Sequence, residues 1–287
     1  MKQLTVISGK GGTGKTSITA AFASLAKNAV LADCDVDAAD LHLILKPDIK
    51  KTMGFHGLNI ADVDRDKCID CKKCFESCRF NAIDEEINII KGSCEGCGVC
   101  AYVCPIDAIS MKERDSGFSY ISDTRFGPMA HAMLKTAEEA SGKLVTVVRN
   151  NAKTLAIEQK KDLIIIDGPP GIGCPVIASL TGVDMVLIVT EPTLSAIHDL
   201  ERILDVAKHF DIPAIVCINK YDINKENSEK IEKYCKSINI EIVGKLPYDT
   251  MVTEAMIHEQ SVIEFSDGDL ADGIIKMWDK IKKRLIE

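Results

Sequence analysis

The sequence has 287 residues, 46% of them hydrophobic and 27% charged, with a formal net charge of -8. That length and apolar content suffice for a full core, fit one large domain with or without a small companion, and exclude a disordered tail. The acidic balance provides no broad basic field to hold a nucleic acid backbone, so nucleic acid is not an expected partner.

The first predicted strand starts at Gln3 and no apolar run reaches the roughly 18 residues of a membrane span, so neither a signal peptide nor a spanning helix is expected and the expected location is the cytoplasm. Twelve cysteines in that reducing compartment point to metal rather than to disulfides. The strand Leu4 to Ile7 leads through a glycine-rich turn to a helix over Lys15 to Ala26 and a second strand over Ala29 to Ala32, which ends in "DCDVDAADL". This is a β-α-β unit and predicts a parallel sheet. From about Ala61 to Arg114 the rhythm breaks, and "CIDCKKCFESCRFNAI" from Cys68 is followed by "CEGCGVCAYVCPIDAI" from Cys94, two half-units of one small fold. Strand patterns then continue as "KLVTVV" at Lys143 to Val148, "DLIIID" at Asp162 to Asp167, "DMVLIV" at Asp184 to Val189, "AIVCIN" at Ala214 to Asn219 and "EIVG" at Glu241 to Gly244. Helical patterns cover Ala196 to Phe210 and Lys225 to Cys235. The predicted fold is α/β: a doubly wound, mostly parallel sheet built from residues 1–60 and 115–287, with a small α+β domain inserted at 61–114. Its ligands should bind beyond the carboxyl ends of the strands.

"GKGGTGKT", Gly9 to Thr16, fits G-x-x-x-x-G-K-[ST] between a strand and a helix, the context that makes the motif meaningful. Gly9, Gly11, Gly12 and Gly14 let backbone N–H groups turn inward, so that the loop through Thr13 and on to Ser17 cradles the phosphates at a helix N-terminus. Lys15 should reach the β- and γ-phosphates, and the Thr16 hydroxyl should bind Mg²⁺. Carboxylates at Asp33, Asp35 and Asp37 stand beside this loop, where either catalysis or turn capping is open to them, with catalysis favoured.

With its extra lysine at Lys10, "KGGTGKT" resembles the deviant Walker A motif of the MinD/ParA/Mrp family of P-loop ATPases, to which the nitrogenase iron protein is also related. The resemblance implies ATP as the nucleotide and a sandwich dimer in which Lys10 reaches the partner's nucleotide, the partner being a second copy or a paralogue. "LADCDVDAADL" resembles the family's switch I, which implies that Asp35 positions the attacking water. "DLIIIDGPPGIG" resembles the Walker B strand and switch II, which gives Asp167 to Mg²⁺ and makes Gly168 to Gly173 responsive to the γ-phosphate. "INKYD" at Ile218 to Asp222 and "LPYD" at Leu246 to Asp249 resemble the two base-side loops, so Asn219 and Pro247 are the expected adenine contacts.

Cys68, Cys71, Cys74 and Cys78 form C-x₂-C-x₂-C-x₃-C, and Cys94, Cys97, Cys100 and Cys104 repeat it before Pro105. In this arrangement the fourth cysteine of each run serves the other cluster. One [4Fe-4S] cluster is therefore expected on Cys68, Cys71, Cys74 and Cys104, and a second on Cys78, Cys94, Cys97 and Cys100. Zinc is the weaker reading of eight cysteines in two matching runs. The first run carries Arg79 where the second has proline, which bears on the local turn and the potential. Cys217 and Cys235 read as buried apolar residues, and Cys34 lies between the switch I aspartates. Cys174 lies beside switch II, where the iron protein binds a shared cluster, but a small buried cysteine is the commoner reading.

Ser122 to Val145, with Arg125 and His131, returns the chain to the sheet and resembles the matching segment of MinD-like ATPases with a ferredoxin insert. The C-terminal stripe of Ile274, Trp278, Ile281 and Leu285 more often marks a helix docked on its own core than one lying on a membrane, so a membrane is not an expected partner. The expected function is that of an ATPase whose nucleotide-driven dimer closure acts on electron transfer to, or metallocluster assembly on, a client protein. The alternative is a positioning ATPase whose ferredoxin insert senses redox state.

Overall fold

Among the described residues nine strands are formed: β1 (Lys2–Ser8), β2 (Ala29–Asp33), β3 (Asp48–Val63), β4 (Ile109–Thr124), β5 (Gly127–Leu134), β6 (Leu163–Pro170), β7 (Met185–Thr190), β8 (Ala214–Asn219) and β9 (Glu241–Leu246). This computed structural model describes residues 1–135 and 141–286. The residues fall into two units. The first comprises Met1–Thr52, Ser119–Met133 and the chain from Gly142 onward, and the second Met53–Phe118 with the flanking Leu134, Lys135 and Ser141. The strands pair in the order β3-β4-β5-β2-β6-β1-β7-β8-β9.

Within the first unit β1 is central, with Leu4 opposite Ile165 of β6 on one side and Met185 of β7 on the other, all parallel. Its six residues from Gln3 to Ser8 are buried, as befits a strand covered on both faces. The parallel pairing of β2 with β6 sets Asp33 directly opposite Asp167 at the carboxyl end of the sheet. The helices here are α1 (Lys15–Leu25), α2 (Leu41–Leu45), α5 (Ser141–Glu158), α6 (Cys174–Leu180), α7 (Ala196–His209), α8 (Lys225–Ser237), α9 (Met251–Ile257), α10 (Val262–Phe265) and α11 (Asp269–Ile286). The α11 stripe is core: Ile274, Trp278, Ile281 and Leu285 are all buried, and the Trp278 ring lies 4.9 Å from that of Phe22 in α1. No helix among the described residues is long and apolar enough to cross a membrane.

The structure corrects the strand expected at Lys143 to Val148, which lies in helix α5. Its buried residues Leu144, Val145, Val148, Ala152, Leu155 and Ala156 recur at helical spacing, which the short β-branched run conceals. Arg149 on the same face donates to the carbonyl oxygens of Ala178 and Thr181 at the end of α6, at 2.8 and 2.7 Å. Of the stretch Ser122 to Val145, residues 136–140 lie outside the described residues. Its first part forms β4 and β5, joined by the two-residue turn Arg125–Phe126 as a hairpin.

The second unit holds the cysteine runs, with the short helices α3 (Lys73–Ser77) and α4 (Val99–Tyr102) at corresponding places in each. Left-handed backbone recurs at matching positions of the two runs, Asp70 with Gly96, Lys72 with Gly98 and Asn81 with Asp107. The two halves thus repeat in conformation as well as in sequence. The core of this unit is small: Ala61, Cys74, Ile83, Ile87 and Ile109, with Cys68, Cys78, Cys94, Cys100 and Cys104 packed against it.

Candidate nucleotide site and cysteine cavities

At the carboxyl end of the sheet, β1 runs into the loop Gly9–Gly14 and α1 starts at Lys15. Gly14 adopts φ +90°, where any side chain is strained, and a Cβ there would stand 2.4 Å from Asn219 Nδ2 and push that amide away from the loop. The loop lines a cavity of about 400 Å³ together with Asp35, Asn219 and Pro247. A wider cleft of about 740 Å³ lies by the amino-terminal ends of β8 and β9, but its Arg284 and Glu241 pair with each other and sheets of this kind bind ligands at the opposite end.

Lys15 is buried, and its Nζ donates to Asp35 Oδ2 at 2.5 Å. Burial works to lower the Lys15 pKa, yet Asp167, Asp35 and Asp33 outweigh it and raise it. Asp33 is pushed well above the usual carboxylate range by burial and then by Asp167. Its two oxygens accept from the backbone N–H groups of Asp35, at 3.2 Å, and Leu41, at 3.3 Å, so Asp33 shapes the switch I turn. Asp167 is fully buried, which raises its pKa against the pull of Lys15. Thr19 Oγ1 donates to Asp167 Oδ1 at 3.1 Å, whereas Asp167 Oδ2 is buried without a hydrogen-bond partner.

Three carboxylates around one ammonium leave surplus negative charge, and a buried oxygen without a partner is costly. Both features fit a divalent cation held from Asp167 and Thr16 beside the phosphate loop. Thr13 Oγ1 is also buried without a partner.

Lys10 pairs with Glu191 at 2.8 Å, and Lys220 takes the other Glu191 oxygen at 3.0 Å while donating to the carbonyl oxygen of Gly12 at 2.9 Å. Burial opposes the charge on Glu191, but the two lysines prevail and lower its pKa. Asn219 Nδ2 donates to the Thr13 carbonyl oxygen at 2.8 Å, so this amide braces the phosphate loop. Asp222 accepts the backbone N–H of Tyr248 at 2.7 Å and ties together the two loops read as base-side. Sequence reasoning missed Glu191, Lys220 and the Met256 side of the cavity. Lys220 had a signal inside "NKYD", while Glu191 and Met256 had none.

In the second unit, Cys68, Cys71, Cys74 and Cys104 line one cavity and Cys78, Cys94, Cys97 and Cys100 line another. Each cavity therefore takes three thiols from one run and the fourth from the other. The backbone N–H groups of Ala82 and Ala108 donate to Cys78 Sγ and Cys104 Sγ at 3.3 and 3.2 Å, again at matching positions. Among the described residues no three His, Cys, Asp or Glu side chains converge on a single-ion site. Soft thiols spread around a small cavity fit an iron-sulfur cluster, whose ligands stand farther apart than those of one zinc ion.

The other four cysteines take no part in these cavities. Cys34, Cys217 and Cys235 are fully buried, and burial pushes the Cys217 thiol up to about 12 and the Cys235 thiol to about 11. Cys174 is exposed at the start of α6 rather than buried.

Comparison with known proteins agrees with this geometry. Residues 4–262 match the CobQ/CobB/MinD/ParA nucleotide binding domain. An uncharacterized protein of Methanocaldococcus jannaschii is 34% identical over 285 residues, covering 98% of this chain and 96% of the relative. A 50-residue stretch, 17% of this chain and 62% of the relative, is 48% identical to pyruvate synthase subunit PorD of Methanothermobacter marburgensis. Among solved structures, the septum site-determining protein MinD complexed with Mg-ADP from Pyrococcus horikoshii shares the fold, with a TM-score of 0.62 at 16% identity over 99% of this chain and 96% of that one. With its phosphate loop, its paired carboxylates at the sheet's carboxyl end and a match over most of its length, the chain belongs to the CobQ/CobB/MinD/ParA nucleotide-binding family.

Proposed function

We propose that this MinD/ParA-type ATPase is an iron-sulfur protein in which ATP-dependent closure of a dimer, with a second copy or a paralogue, governs electron delivery to a partner protein. The observation that carries the reading is the crossed cysteine lining of two cavities on the chain that also bears the phosphate loop. The short match to a pyruvate synthase subunit adds weight to an iron-sulfur unit. Cluster assembly on a client is the other use of such a chain. Here, however, Cys74 is part of the small core and five further cysteines pack against it, which favours clusters that stay over clusters that leave.

In the proposed cycle the phosphates of ATP compete for Lys15, which then releases Asp35. The freed carboxylate orients a water in line with the γ-phosphorus, while the backbone N–H groups of Gly11 to Thr16 and the Lys15 ammonium hold the phosphate oxygens. Thr16 and Asp167 hold Mg²⁺, which when bound offsets phosphate charge. Lys10 leaves Glu191 to reach the nucleotide across the dimer. In the second unit the eight thiols, as thiolates, hold two [4Fe-4S] clusters, which when bound accept and pass single electrons. The stripe of Ile274, Trp278, Ile281 and Leu285 on α11 is buried in the core, which weighs against its use as a membrane-binding face in the positioning alternative.

Anaerobic purification with iron and acid-labile sulfide analysis tests the cluster half of this reading. About eight of each per chain are expected, falling to about half in Cys97→Ser. Zinc without sulfide overturns it. For the choice between uses, reduced protein mixed with an apo-ferredoxin should retain its iron, and loss of iron to the acceptor would favour assembly.

A further inference from the structure

Arg125 sits in the turn between β4 and β5, and its guanidinium faces five acceptors within the first unit. Nε and Nη2 donate to the two carboxylate oxygens of Glu264 at 2.6 and 2.8 Å. Nη1 donates to the Leu45 carbonyl oxygen at 3.0 Å, and Nη2 also faces the carbonyl oxygens of Ile44 and Glu259 at 2.9 and 3.1 Å. The turn itself is stiffened by Thr124 Oγ1, which accepts from Phe126 N–H at 3.1 Å and donates to the Gly127 carbonyl oxygen at 2.8 Å.

The elements that meet at this side chain have something in common. The residues Ala38 and Asp40 that lead into α2, Met256 of α9 and Val262 of α10 all line the nucleotide cavity. Arg125 holds the other end of α2, the carbonyl of Glu259 two residues past α9 and the carboxylate that caps α10, where Glu264 Oε2 accepts Ser261 N–H at 2.8 Å. Its own turn and two of its partners, Ile44 and Leu45, also lie next in sequence to the strands that run on to the cysteine unit. α2 ends at Leu45 and β3 begins at Asp48, leaving the first unit after Thr52. β4 re-enters at Ser119 and ends at Thr124, directly before Arg125.

We propose that Arg125 is the positioning residue that links the walls of the nucleotide cavity to the two strands carrying the cysteine unit. A ligand changes a distant segment only through contacts that differ between two states, and these contacts tie the turn after β4 to Ile44 and Leu45, the end of the helix that leads on to β3. Only a guanidinium supplies the fork that takes a carboxylate in two bonds while still reaching backbone carbonyls. Lysine offers a single point of charge. The proposal rests on the preceding reading that nucleotide acts on the iron-sulfur unit.

Hydrogen-deuterium exchange of the cluster-loaded full chain, with Mg-ADP and with a non-hydrolysable Mg-ATP analogue, tests it through the amides of residues 53–63 and 109–118. In the wild-type protein the two nucleotides should change exchange there by about threefold or more. In Arg125→Ala that difference should vanish while ATP turnover stays within about threefold, and Arg125→Lys should restore it only in part. Ile281→Val, a core change far from the turn in sequence, should lower the melting temperature and keep the difference, which separates positioning from general loosening. A full nucleotide-dependent difference in Arg125→Ala overturns the proposal. So does loss of turnover together with the difference, because Arg125 would then only be holding the cavity together. No difference in the wild-type protein would instead overturn the underlying coupling, and this role with it.

Discussion

Lys15 and Asp35 form a buried ion pair where the phosphate loop meets switch I, so the residue that should grip ATP is held by the residue that should use it. Removing one member of such a pair strands the other. Asp35→Ala should therefore leave nucleotide affinity within about threefold, because Lys15 loses only a competitor of the phosphates, while turnover falls by about 100-fold or more. Lys15→Ala should weaken nucleotide binding by roughly 100-fold, as expected for a desolvated charge contact. Calorimetric titration with ADP and a phosphate-release assay on both variants check the pair, and equal loss of binding in both would contradict it.

His131 makes a separate residue-scale prediction. Its Nε2 lies 2.8 Å from Ser122 Oγ, its ring stacks 5.0 Å from that of Tyr120, and burial, with a lesser contribution from His42, lowers its pKa to about 4. The unfolded chain, with an ordinary histidine near 6.5, binds the proton more readily between these values. The neutral ring thus contributes stability that is complete above about pH 6.5 and is lost as pH falls toward 4, amounting to about 2 kcal/mol by pH 5. Urea midpoints at pH 7 and pH 5 should show this slope in the wild-type protein and a shallower one in His131→Gln.

At the scale of elements, Gly96 has φ +65°, and a Cβ there would lie 2.3 Å from the Asn59 carbonyl oxygen. Gly96→Ala should distort the cavity lined by Cys94, Cys97 and Cys100, and the iron content should fall toward half. Trp278→Ala removes the ring that packs on Phe22 and should cost about 3–5 kcal/mol, read as a lower urea midpoint by far-UV circular dichroism.

The same elements show why some of the fold was legible in the sequence. β1, β6, β7 and β8 are short apolar runs buried on both faces, and such runs announce themselves. β3 was hidden because its first five residues are exposed and polar-rich, and its partners are fixed only by distant sequence. α5 was misread because Val145 and Val148 favour strands locally, while the helical stripe emerges only over its 18 residues. Within the candidate site, a spacing rule was enough to single out Lys15, Thr16 and the eight cysteines that line these cavities. Glu191 was not legible because its partners Lys10 and Lys220 come from remote loops.

On the whole-molecule scale, the chain combines a nucleotide fold that matches its family over residues 4–262 with a cysteine unit whose small core has Cys74 in it and five further cysteines packed against it. A core so small depends on what the thiols hold, so removing iron with a chelator should unfold the second unit while the far-UV signal of the first persists. On the proposed reading, nucleotide bound at Lys15 alters iron-sulfur clusters held by the cysteine runs. A redox titration followed by EPR, on anaerobic protein with and without Mg-ATP, tests it most directly. The account predicts that Mg-ATP moves the midpoint potential of at least one cluster by about 60 mV or more, a tenfold change in its equilibrium for one electron. Titrations that superimpose while ATP is bound and hydrolysed would contradict it.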